Sequence, residues 1–415
     1  MRLHPSLIAT GVLLLSLVLQ PTRPVSAASI TVTTTNDELN TDSACSLREA
    51  IQAVNTLSSV SGCAAGSGND TIVLPAGTYQ LTIAGPNEDL NATGDLDIFP
   101  PPLSVPRTLV IQGSGATTTV VDGNQLDRVF HLISEDGTLI LRDLTVRNGL
   151  VPNTSDGGAV LALGRIELYN VIVEDNAISG PLLTSGATGG GLCLGCGPGT
   201  GSGYLENVIF RNNSAGVGGG IFSNRPLTVT ASSFYSNTVA VAGGAIATYG
   251  DLTLVNVTVT SNAAGNSGGG IVHFAGSLNL LNSTISHNTN HGVRFDVSTA
   301  SIKNTIIGKN TVSDCQILNA PTSQGSNLSS DTSCTFLTAS GDRTNVDPQL
   351  GPLQDNGGPT PTRAPALTSP AVDGGTNAGC PATDQRGITR PQGQRCDIGA
   401  YELVLSQRFV PLTTK

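Results

Sequence analysis

Asp95 and Asp97 stand one residue apart, shortly after a second acidic pair, Glu88-Asp89. Side chains at alternate positions of a strand share a face. Asp95 and Asp97 would therefore present carboxylate oxygens together, the donor type that calcium takes. The favoured reading is a solvated turn in a Gly/Asn-rich loop with no cofactor; the competing one is a structural calcium held by Asp95 and Asp97. Asp122, Asp127 and Arg128 form a second, looser group, expected to be an Asp–Arg surface pair. Cys193-Leu-Gly-Cys196 has the spacing of a redox or metal dithiol, but no second Cys/His pair of zinc spacing accompanies it. His273, His287 and His291 are close in sequence yet fall at different corners of the repeat described next, a poor arrangement for one metal. Tyr235 and Tyr249 are the best-placed exposed aromatics for stacking on a ligand, in a chain with no Trp and six Tyr.

The elements that must position these groups are repeats. From Leu139 to Asn310 the chain reiterates aliphatic-x-aliphatic-x-Asn, alternating apolar residues, and a second Asn six positions on. The first column reads Asp143, Asn170, Asn207, Ala231, Asn256, Asn282, Asn304; the second reads Gly149, Asn176, Asn213, Asn237, Asn262, Asn288, Asn310. Successive units are 27, 37, 24, 25, 26 and 22 residues apart. A unit of that size cannot bury its own core and must stack on its neighbours. Apolar residues alternate within each unit, as in Leu252-Thr253-Leu254, so the units are strands rather than helices. Gly-Gly steps before an aliphatic residue, such as Gly219-Gly220-Ile221 and Gly243-Gly244-Ala245-Ile246, supply tight corners. The expected fold is all-β, a parallel β-helix, right-handed by the general preference of parallel crossovers. The first-column residues Asn170, Asn207, Asn256, Asn282 and Asn304 are expected to stack as a structural amide ladder.

Formal net charge is −10 with three lysines, which argues against nucleic acid and anionic membranes as partners. Arg2, an apolar run from Leu7 to Leu19 and small residues at Ala27 and Ala28 read as a signal peptide, so the protein is expected outside the cell or on its surface. That run is too short for a membrane span, and no other stretch would serve as one. All eight cysteines follow it and suit disulfides; sequence proximity groups Cys45 with Cys63, Cys193 with Cys196, Cys315 with Cys334 and Cys380 with Cys396, although spacing alone does not fix connectivity.

The organisation expected is a signal peptide (1–27), an N-terminal cap (28–70), the β-helix (71–310), final irregular coils (311–346), a Pro/Gly-rich module closing the other end (347–405) and a tail (406–415). Ser46-Leu47-Arg48-Glu49 is a capping box opening a short amphipathic helix with Leu47, Ala50, Ile51 and Val54 on one face. Cys45-Ser-Leu-Arg-Glu-Ala50 resembles the bacterial CSLREA domain. Asp347-Pro-Gln-Leu-Gly-Pro, Asn356-Gly-Gly-Pro-Thr, Ser369-Pro-Ala-Val-Asp373, Asp384-Gln-Arg-Gly387 and Cys396-Asp-Ile-Gly-Ala-Tyr-Glu402 resemble the choice-of-anchor Q module. Gly-Gly-Ala-Ile with Phe-x-x-Asn is similar to polymorphic outer-membrane protein repeats. The resemblance implies a bacterial exported surface protein with a pectin-lyase-like β-helix.

Two function classes follow. The first is a non-catalytic scaffold for adhesion or for binding matrix or glycan. The second is a secreted polysaccharide lyase or hydrolase. The carboxylates of the regular coils (Asp156, Glu167, Asp175, Glu206, Asp251, Asp296) are scattered rather than stacked, which favours the scaffold.

Overall fold

The computed structural model describes residues 27–404 other than 87, 100–106, 153–154, 181–185 and 298. The segment read as a signal peptide, apart from Ala27, and the segment read as a tail lie outside the described residues.

The chain winds into a parallel β-helix. One long sheet of nineteen strands bends along its length, a second sheet has nine strands and a third has five. Register is kept coil after coil: Leu227–Thr230 lies on Gly203–Glu206 and beneath Leu252–Val255, residue against residue. Inward-facing aliphatics therefore stack in columns. Leu205, Val229, Leu254, Leu280 and Ile302 form one, and Phe210, Phe234, Val259, Ile285 and Ile307 another, all buried. The rings of Phe210 and Phe234 stack with centroids 5.2 Å apart.

The first Asn column has different work from the ladder expected of it. Every first-column residue, Asp143, Asn170, Asn207, Ala231, Asn256, Asn282 and Asn304, has φ between 44° and 56°. This is the left-handed kink that bends the long sheet, and Asn tolerates it better than most residues. Only fragments of an amide ladder exist there: Asn170 donates to Asp143 and Asn304 to Asn282. Asn256, Asn282 and Asn304 instead donate to carbonyls of the C-terminal module, those of Thr383, Asp397 and Thr376. The continuous ladder is the second column. Asn176, Asn213, Asn237, Asn262 and Asn288, all fully buried, each donate to the next along the series at 2.9–3.0 Å, and Asn310, the last acceptor, donates to Asp314. Each also donates to a backbone carbonyl, as Asn237 does to Phe210. The ladder thus satisfies the buried corner that joins the long sheet to the five-stranded one.

The N-terminal helix, Leu47–Thr56, begins as expected, with Ser46 and Glu49 forming a reciprocal capping box. It covers the open edge of the nine-stranded sheet. Asn55 donates to the Asp97 carbonyl and accepts from the Phe99 amide, replacing the hydrogen bonds of a missing strand. Arg48 is buried; it binds the carbonyls of Gly94 and Asp95 and pairs with Asp37 at 2.6 Å.

The far end is closed by Phe336 and Leu337, from a turn held by the Cys315–Cys334 disulfide, with Phe336 edge-on to Phe295. The module from Asp347 onward lies along the flank of the coils. Thr360 bonds the Ala231 carbonyl, Gln385 bridges Ser233 and Thr258, and the Ala400 amide bonds Thr284. Small Ser and Thr residues on the outward strand positions make room for it. Inside the module a buried Arg390–Glu402 pair at 2.8 Å also holds the carbonyls of Asp397 and Gly399.

Candidate functional site

Two places concentrate groups able to act on a ligand. The first surrounds the short strand Leu96–Ile98, which pairs with Phe130–Leu132 so that Asp97 sits beside His131. Leu96, Ile98, Phe130 and Leu132 fill the core, and alternation turns Asp97 and His131 to the other face. The loop before the strand folds over that face. Glu88 shapes it by accepting the amides of Leu90, Ala92 and Thr93. Gly94, at φ 61°, lets the chain pass where a Cβ would come within 2.9 Å of the Asp127 carboxylate.

Asp95 and Asp97 are both buried, but they face different partners. Asp95 accepts from Arg128 at 3.2 Å. Burial pushes its carboxyl up to about 8, with the Asp97 charge adding to the rise and Arg128 opposing it. Asp97 takes the Asn91 amide on Oδ2 at 3.0 Å, while its Oδ1 lies 3.3 Å from His131 Nδ1. Burial also raises the Asp97 carboxyl, against the pull of His131 and the Asn91 amide. Asp97 Oδ1 and His131 Nδ1 are nonetheless misaligned for a hydrogen bond, and both are buried without a partner. Asp89, on the overlying loop, brings its Oδ1 to 3.5 Å from His131 Nδ1. The group Asp122, Asp127 and Arg128 is divided: Asp122 pairs with Arg147 at 2.8 Å, and Arg128 turns to Asp95.

The second place is a groove of about 590 Å³ on the outer face of the nine-stranded sheet. Phe222 lies on a strand of that sheet, and Val217, Val241 and Ala242 of the five-stranded sheet form the facing wall. Tyr249 and Phe274 follow their strands at equivalent positions. Their rings stack with centroids 4.7 Å apart and planes at 19°, and Phe222 lies tilted at 6.0 Å from Tyr249. Tyr249 is 50 % exposed. Asn224, Asn266 and Ser267 add polar edges. Arg294, also at the edge, is held in a two-pronged pair with Asp296 and donates to Ser267. Among the described residues, no carboxylate or imidazole lines the groove. A flat ring with polar groups at its rim is suited to the apolar face and hydroxyls of a sugar.

Tyr235 is on another face. It stands in an outward column with Arg211 and Glu174, and its hydroxyl accepts from Arg211 at 3.1 Å while Arg211 pairs with Glu174. The histidines sit apart: His273 is buried against the Gly276 carbonyl, His287 occupies a left-handed turn with Ser236 and Ser261, and His291 bonds Ser313. Cys193 and Cys196 are joined, as are Cys45–Cys63, Cys315–Cys334 and Cys380–Cys396. These four bridges are compatible with an extracellular location. No described helix is long and apolar enough to cross a membrane.

Sequence reasoning missed His131, Phe222 and Phe274. For Phe274 a signal existed: Tyr249 and Phe274 are one repeat apart. His131 precedes the regular repeat, so nothing in the spacing aligned it with Asp97.

No protein-family model matches the chain, and no curated protein matches it. Among solved structures, the crystal structure of the pectate lyase Pel9A is similar to it over 91 % of this chain and 97 % of that one, with a TM-score of 0.51 and 15 % sequence identity. The chain therefore has a pectate-lyase-like parallel β-helix fold.

Proposed function

We propose that the protein is an exported, non-catalytic β-helix scaffold that binds an extracellular glycan or matrix component in the groove built by Phe222, Tyr249 and Phe274. The observation that carries this reading is a stacked aromatic pair, with Tyr249 half exposed, in a concave surface that no carboxylate or imidazole among the described residues lines. The carboxylates of Asp95 and Asp97 do not supply such a group, because both are buried and Asp95 is engaged by Arg128. The sequence resemblance to CSLREA and choice-of-anchor Q surface proteins supports export and display at the cell surface. Several residues of the six-letter motif have evident structural roles: Cys45 is bridged, Ser46 and Glu49 cap the helix, and Arg48 seals the first coil.

The likeness to a pectate lyase keeps one rival in play, a secreted polysaccharide lyase or hydrolase, on fold analogy alone. One experiment separates them. The purified protein is incubated with polygalacturonate, alginate and neutral glycans, with and without calcium, and both binding and newly formed reducing or unsaturated ends are measured. The scaffold reading expects binding that falls on Tyr249→Ala, with no new ends. Turnover that survives Tyr249→Ala and disappears on Asp95→Ala, Asp97→Ala or Arg128→Ala overturns it in favour of the lyase.

A further inference from the structure

We propose that Asp97, His131 and Asp89 form a site for a divalent transition metal, zinc being the best fit. His131 Nδ1 is 3.3 Å from Asp97 Oδ1 and 3.5 Å from Asp89 Oδ1, and all three donor atoms lie within 4.8 Å of one another. Tetrahedral donors each ~2.0–2.1 Å from zinc are themselves ~3.3–3.4 Å apart. The two His131 distances are close to those edges.

A second observation is independent of the clustering. Asp97 has a fully buried side chain, and its Oδ1 has no hydrogen-bond partner; neither has His131 Nδ1, on a residue 8 % exposed. Buried polar atoms are nearly always satisfied, and an orphan costs ~1–3 kcal/mol. Here two orphans lie 3.3 Å apart, the separation of two donors that share one cation placed to their side. The other Asp97 oxygen is fixed by the Asn91 amide, the kind of outer hydrogen bond that orients a metal ligand. Asp89 is exposed, so the solvent side leaves room for water in the remaining position.

The donor set selects the ion. Calcium takes six to eight oxygens, whereas one imidazole nitrogen with two carboxylates suits zinc and its neighbours. Asp95 is not a member, since its carboxylate faces Arg128. The reading of calcium at Asp95 and Asp97 is thus replaced by a mixed nitrogen–oxygen site that shares only Asp97. Catalysis is not part of this assignment: the loop and helix packed around Asp97 make the role structural, tying the first coils together.

The test uses the oxidised mature chain stripped with a chelator. Zinc is titrated by calorimetry, cobalt by visible absorption, and thermal unfolding is followed with zinc or calcium added. The site predicts one zinc per chain, cobalt bands of four-coordinate intensity, and a melting point raised by zinc but not by calcium. His131→Gln should abolish all three. Asp89→Ala, an exposed change that leaves the fold intact, should weaken zinc at least about tenfold, the loss that even removal of an outer partner brings. Absence of zinc uptake, or uptake that both variants leave unchanged, overturns the assignment.

Discussion

Replacing Asn237 by Leu, which has nearly its shape, tests the buried amide column directly. The Asn237 side chain donates to the Phe210 carbonyl and to Asn262 Oδ1, and it accepts from both the backbone and side-chain nitrogens of Asn213. After substitution Asn262 Oδ1 keeps the Asn237 amide, but three buried groups lose a partner: the Phe210 carbonyl, the Asn213 amide and one Asn213 side-chain N–H. At ~1–2 kcal/mol for each group the loss is about 3–6 kcal/mol. The buried leucine returns about 1–2 kcal/mol of apolar transfer, leaving a net destabilisation of about 1–5 kcal/mol. Asn256→Leu is the control. It gives up the bond to the Thr383 carbonyl and a long one, 3.5 Å, accepted from Arg390, and places leucine at φ 54°, together about 1–3 kcal/mol. Guanidinium unfolding and native-state hydrogen exchange at the amides of Asn213 and Thr238 would read both. If Asn237→Leu proves no more costly than Asn256→Leu, the inner column is not the element that holds the corner.

Arg48→Met should destabilise by about 3–5 kcal/mol in chemical denaturation, because it leaves the Asp37 carboxylate with only the amides of Thr82 and Ile83 and no counter-charge, and strips the carbonyls of Gly94 and Asp95 of their donor. Gly94→Ala should lower stability by about 1–3 kcal/mol in the same assay, since its Cβ would meet the Gly85 carbonyl at 2.8 Å with φ at 61°. Acid should weaken the fold through His287. Burial, with Arg363 and Lys309 nearby, lowers this imidazole from its ordinary 6.5 to about 4. Between those values the unfolded chain takes up a proton that the folded chain refuses, so stability falls as pH drops from about 6.5 toward 4. His287→Gln should flatten that part of a melting-temperature profile and leave the profile above pH 7 unchanged.

The repeat was legible because stacking forces it into the residue types: buried columns must be aliphatic, and a chain that meets itself every twenty-five residues shows them at that interval. Conformation at the kink was not legible. Asp143 and Ala231 share the left-handed geometry of Asn256, so residue type pointed to a hydrogen-bonded ladder where a backbone bend was the cause. The position of the C-terminal module was hidden for another reason. Its partners are distant in sequence, as Gln385 is from Ser233, and serines beneath it look like any solvated face. Of the candidate groups, Tyr249 was visible through the repeat, whereas the meeting of Asp97 and His131 depends on early coils of irregular length.

The flank-lying module changes how the rod can come apart. A coil held only by the coils above and below can leave from an end, one rung at a time. Here a single strap is stitched to successive rungs at Ala231, Asn256, Asn282 and Asn304, so those rungs are fastened in parallel as well as in series. Tension along the axis would load the stitches in shear and share itself among them, while the rungs nearer the N-terminus, which have no such stitches among the described residues, would unzip singly. The protein is therefore mechanically two-sided, with a frangible front half and a reinforced back half.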